Sequence, residues 1–73
     1  MQIYADIDRD SGVYGFEIED TSITVWFKKG GKPYVYSYAS AGQNNVEHMK
    51  KLALAGEGLN AYINKYVKKL FVH

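Results

Sequence analysis

The chemistry available to this 73-residue sequence lies in three groups of side chains. The first is Trp26, followed by Lys28, Lys29 and Lys32 around Gly30-Gly31. An indole offers a face on which a base can stack, and lysines placed beside it can neutralise phosphates. The same indole, next to an aliphatic residue such as Val35, could instead anchor a protein partner. The second group is Tyr34, Tyr36 and Tyr38, alternating with Val35 and Ser37. Aromatic rings in this pattern on a strand can stack unpaired bases, or can fill a core with their hydroxyls at the rim. The third is Asp6, Asp8, Asp10 and Glu17, which match the first, third, fifth and twelfth positions of a calcium-binding loop. Ser11 stands where that loop needs glycine, and Gly12 comes one residue late. An acidic turn is therefore the expected structure, with no metal bound.

Other chemistry is missing from the chain. There is no cysteine, which excludes a disulfide framework, a thiolate metal site and a cysteine nucleophile. His48 and His73 have no ligand-like company, and His48 is expected to face solvent. No spacing suggests a triad, a phosphate loop or a general acid paired with a base. The sequence reads as a non-enzyme without a cofactor.

These side chains must be positioned by an α+β domain. Apolar residues recur with period 2 in the first half and 3.6 in the second. Tyr14, Phe16 and Ile18 define one strand; Ile23, Val25 and Phe27 define another, after the short Asp20-Thr21 link. Gly30-Gly31 predicts a two-residue hairpin turn. An earlier strand over residues 2–8 would place Ile3, Ala5 and Ile7 on one side. The two turns predict the pairs Ile18–Ile23, Phe16–Val25 and Tyr14–Phe27, and Phe27–Tyr34, Val25–Tyr36 and Ile23–Tyr38. All nine residues then share a core face. Val13, Gly15, Trp26, Lys28, Val35 and Ser37 fall on the other.

A helix is predicted from a capping-box-like Asn44…Glu47 to Gly56, with Val46, Met49, Leu52 and Ala53 inward. A second carries Leu59, Tyr62, Ile63, Tyr66, Val67, Leu70 and Phe71 on one stripe. Its opposite face holds Asn60, Asn64 and a secondary basic surface of Lys65, Lys68 and Lys69. The predicted architecture is an antiparallel meander of three to four strands with two C-terminal helices packed on one face.

Composition agrees with a small globular domain: 47% hydrophobic, 23% charged and 15% aromatic residues. Net charge is +1, unevenly spread. Residues 1–20 hold six acidic residues against Arg9, while residues 21–73 hold eight lysines against Glu47 and Glu57. Such polarity can present a basic face to an anionic partner. No apolar run approaches membrane length and the first residues lack signal-peptide character, so a cytoplasmic protein without a membrane partner is expected.

The ordered set Ser11-x-Val13, Ile18-Glu19, Ile23-x-Val25-x-Phe27, Gly30-Gly31, Tyr34-Val35-Tyr36 and Gly58-Leu59-Asn60-x-x-Ile63 resembles the KTSC family. The resemblance runs from about Ser11 to Tyr66 and treats residues 1–73 as one KTSC-like domain. Asp10 stands where the family tends to have a second serine, and Glu17-Ile18-Glu19 where Gly-Tyr-Asp is commoner. The family occurs at the C-terminus of some lysyl-tRNA synthetases and as small stand-alone bacterial proteins. That context implies RNA as a partner; the family's function is not established.

Two functions follow as expectations. One is a non-enzymatic RNA-binding module, using an open sheet face around Trp26 and the basic tip Lys28, Lys29 and Lys32, with Val35, Tyr34 and Tyr36 as further candidate contacts. The other is a protein-interaction or inhibitor module, encoded by a phage or mobile element and acting on a host or defence protein. The open face would also serve a homodimer, should the protein not be a monomer.

Overall fold

The tight Asp20-Thr21 reversal sets the centre of the sheet. It joins strands Val13–Glu19 and Ser22–Phe27, pairing Ile18 with Ile23 and Phe16 with Val25 as predicted. These are β2 and β3 of the computed structural model, which describes residues 1–7 and 12–72. With β1 (Gln2–Ile3) and β4 (Tyr34–Ser37) they form an antiparallel sheet in the order β1-β2-β3-β4. Three helices follow: α1 (Tyr38–Ala41), α2 (Gln43–Ala55) and α3 (Leu59–Tyr62), the last running directly into a π-helical turn over Ile63–Val67. The α+β class and the meander are those the hydrophobic periods predict.

One apolar cluster joins the layers. Phe16, Ile23, Val25 and Tyr36 from the sheet meet Val46, Met49 and Ala53 of α2, and Leu59, Ile63 and Val67 behind them. Burying each larger side chain contributes about 1.5–3 kcal/mol. The predicted inner stripe of the first long helix is therefore correct, with Leu52 partly buried against the cluster. Gly56 ends that helix in the left-handed region, at φ 78°, donating its N–H to the Leu52 and Ala53 carbonyls.

Four predicted features need correction. The hairpin between β3 and β4 pairs Val25 with Tyr34 and Ile23 with Tyr36, two residues from the predicted register. Pro33 lacks the N–H a ladder position needs, so pairing starts at Tyr34 and the loop is longer than Gly30-Gly31. A shift of two preserves which residues share a face. Tyr38 leaves the strand altogether. Ser37 and Ser40 cap each other's backbone N–H at 3.0 Å and start α1 there. That is where the capping box lies, not at Asn44 and Glu47.

The second correction is a β-bulge. Val13 pairs with Phe27 and Gly15 with Trp26, so Tyr14 is the extra residue. Val13 moves into the core at 0% exposure and Tyr14 stays 48% exposed, the reverse of strict alternation.

The third correction is the N-terminal strand, which covers only Gln2–Ile3 and not residues 2–8. Gln2 pairs with Phe16 and Ile3 with Gly15, leaving Ile3, Ala5 and Ile7 exposed and Tyr4 buried.

The fourth correction concerns the last helix. Leu59, Ile63 and Val67, four apart, stay in the core, whereas Tyr66 and Leu70 are exposed. The π-turn is wider than an α-turn, so the spacing of four stays in line and Tyr66 and Leu70 rotate outward, while Tyr62 and Phe71 stay partly buried against the core. Past it, Phe71 packs on the core and the Val72 N–H donates to the Val35 carbonyl at 2.6 Å, covering the β4 edge.

Candidate functional site

The sheet positions Trp26 away from the helices. Of its neighbours, Val25 belongs to the core and Phe27 packs against it, while Trp26 is half-buried and makes no part of that packing. Pairing carries one row across three strands, Ile3–Gly15–Trp26. Met1 lies over the glycine: a Cβ on Gly15 would come within 2.7 Å of the Met1 sulfur and 2.8 Å of the Gln2 carbonyl oxygen. Val35 stands opposite Thr24, one step along the same face.

Lys28 is drawn off elsewhere. Its ammonium donates to the Asp6 carboxylate at 2.6 Å, tying the N-terminal arm to the end of β3. Asp6 is thereby engaged by a cation, and Glu17 lies exposed in the middle of β2. Asp8 and Asp10, the other two proposed calcium ligands, lie outside the described residues. Among the described residues no cluster of three or more histidine or carboxylate side chains could hold a metal.

A concave site lies on the other side. Between the Gly30 loop and the C-terminal helical segment is a cleft of about 480 Å³. Lys29 from the loop and Lys68 from beyond the π-turn both line it, although the sequence places them in separate basic groups. Its aromatic wall is continuous: Tyr34 lies 4.7 Å from Phe71 between ring centres, Phe27 lies 5.5 Å from Tyr34, and Tyr36 meets Phe71 edge-on at 6.4 Å. Tyr34 is 39% exposed and Tyr36 only 1%. Burial, aided by Tyr34, pushes the Tyr36 hydroxyl up to about 12. It therefore stays protonated and neutral under ordinary conditions.

Asn60 and Asn64 line the same cleft. With Lys68 they form an i, i+4, i+8 row, which the sequence already contains. What it does not contain is the loop that faces this row. Gly12 borders the row on another side: a Cβ there would sit in van der Waals contact, 3.4 Å from the Asn60 side-chain oxygen.

The predicted site residues thus separate into two places. Lys29, Tyr34 and Tyr36 meet Lys68 in the cleft; Trp26 and Val35 lie on the open sheet face. Lys32 is exposed in the loop, and Lys69 is exposed beyond the π-turn. Lys65 lies 5.4 Å from the Tyr66 ring centre instead of in the cleft. Sequence reasoning also misses a surface stack in which His48, exposed as expected, lies 4.7 Å from Tyr62, itself 4.7 Å from Tyr66.

Lys50 is engaged as well. It pairs with Glu47 at 2.8 Å and donates to the Asp20 carbonyl at 3.0 Å. The Tyr38 hydroxyl donates to the same Glu47 at 2.6 Å. Lys50 and Tyr38 together hold the Glu47 carboxyl below its ordinary range, and that carboxylate holds the Tyr38 hydroxyl above its own. Neither Lys29 nor Lys68 has an ion-pair partner among the described residues.

Among the described residues no helix is long and apolar enough to cross a membrane. No family model matches the chain, and no curated protein or solved structure matches it significantly.

Proposed function

We propose that the protein is a small non-enzymatic RNA-binding module and that single-stranded RNA binds in the cleft between the Gly30 loop and the C-terminal segment. The observation that carries this reading is the meeting of Lys29 and Lys68, both without ion-pair partners among the described residues, at an aromatic wall in one concavity. Unpaired bases favour aromatic faces and the strand's phosphates favour lysines, so the two features recognise the two parts of one ligand. The KTSC resemblance points to the same class of partner. The reading moves the RNA away from Trp26, because Lys28 is committed to Asp6.

The test is fluorescence anisotropy of a labelled single-stranded RNA. Lys29→Gln and Lys68→Gln should each weaken binding about tenfold, whereas Trp26→Ala should leave it unchanged. A loss confined to Trp26→Ala would return the RNA to the open sheet face. No binding by the unaltered protein at low salt would end the reading.

A second reading has its own observation. The row Ile3–Gly15–Trp26 is apolar, with Ile3 and Met1 exposed and Trp26 half-buried, and suits a protein partner. Acrylamide quenching of the single indole tests it: an indole open in the isolated protein and shielded in the partner complex supports it, and equal quenching in both states removes it.

A further inference from the structure

We infer, on the basis of the RNA reading above, that the cleft is a pocket for one nucleotide unit, with the base inside against Tyr34 and its phosphate at Lys29 and Lys68. A volume of about 480 Å³ is the size of a small-molecule site, far below what a folded RNA surface would need. The lining is also more specific than a generic phosphate groove requires.

Three polar groups argue for a base edge. Tyr36 lines the cleft, is 99% buried, and its hydroxyl has no hydrogen-bond partner among the described residues. No fully enclosed polar atom there lacks a partner, so this hydroxyl opens to the cleft. A nearly buried phenol in the lining of an aromatic cleft, without a protein partner, lacks only an acceptor. The Asn60 and Asn64 side-chain amides likewise have no hydrogen-bond partner among the described residues and line the same space. Each amide presents a donor and an acceptor together, the combination that base edges offer in return. Apolar burial alone would call for none of these groups.

The ring positions restrict how the base enters. Tyr34 and Phe71 lie 4.7 Å apart and tilted by 59°, too close to admit a base between them. The base therefore stacks on the exposed Tyr34 face, and its edge points toward Tyr36. This orientation leaves the phosphate at the mouth, where the lysines are.

The test is an NMR titration of the full chain with adenosine and uridine 5′-monophosphates, inorganic phosphate, and a short single-stranded RNA. Either mononucleotide should shift the Asn60 and Asn64 side-chain amides and compete with the RNA; inorganic phosphate should bind at least tenfold more weakly. Tyr36→Phe should weaken mononucleotide binding roughly threefold to tenfold without lowering the unfolding midpoint. Asn64→Ala, at an exposed position, gives the same readout should Tyr36→Phe disturb folding. RNA binding that depends on Lys29 and Lys68 but is unaffected by either mononucleotide would overturn this inference and leave the RNA reading intact. Mononucleotide binding without RNA binding would do the opposite. Shifts confined to the surroundings of Trp26 would remove both.

Discussion

The Tyr4 hydroxyl accepts the backbone N–H of Leu59 at 3.2 Å, fastening the N-terminal arm to the first turn of α3. The residue before that turn is Gly58, which has no side chain to cap it. Tyr4 therefore serves as a cap supplied from a distant part of the chain. Tyr4→Phe keeps the buried ring and strands the N–H, at an expected cost of about 1–3 kcal/mol. The urea midpoint should fall accordingly, and an unchanged midpoint would show that the bond contributes nothing net.

Two glycines separate backbone strain from crowding. Gly56 and Gly30 both have left-handed φ, 78° and 82°. A Cβ on Gly56 would meet the Ala5 Cβ at 2.6 Å, whereas one on Gly30 would meet nothing within 4 Å. Gly30→Ala should cost about 1–2 kcal/mol for the conformation alone. Gly56→Ala should cost a further 1–3 kcal/mol, roughly, for overpacking. Thermal unfolding of both variants checks the difference; equal losses would mean the N-terminal arm moves aside freely.

The Glu47 cluster predicts a pH effect of definite sign. Lys50 first, then Tyr38, hold the folded carboxyl below its ordinary value of 4.5. A depressed folded pKa adds stability that is present above the unfolded value and lost as pH falls through the folded one. The stability advantage of the unaltered protein over Glu47→Gln should therefore be constant at neutral pH and shrink below about 4.5. Denaturant titrations across that interval measure it, and an advantage that grows on acidification would contradict the arrangement.

Much of the fold can be read from local signals. The Asp20-Thr21 turn, the inner stripe of α2 and its stop at Gly56 all depend on neighbouring residues and came out as predicted. The errors arise where distant groups intervene. Tyr14 is displaced by a bulge beside Gly15, where Met1 fills the missing side chain's place. Tyr38 reads as a strand residue until the Ser37–Ser40 cap is recognised. The last helix follows the α period on paper, but its π-turn keeps Leu59, Ile63 and Val67 fully inward and turns Tyr66 and Leu70 to solvent.

The candidate cleft was only half legible for the same reason. Asn60, Asn64 and Lys68 are visibly one row, and Lys29 visibly belongs to a basic tip. Their meeting depends on the long loop ahead of Pro33 and on a C-terminal segment held by Val72. Neither leaves a sequence pattern that names its partner. The alternation rule correctly placed Trp26 on the bare side of the sheet, but could not reveal that Asp6 would claim Lys28.

The salt dependence of RNA binding tests the cleft most directly. For a single strand, the slope of log affinity against log salt falls by about 0.7 for each phosphate contact removed. Lys29→Gln and Lys68→Gln should each reduce the slope by that amount, and Lys51→Gln, on the exposed surface of α2, should not. A slope unmoved by the first two, or lowered equally by the third, would place the anionic ligand elsewhere on the protein.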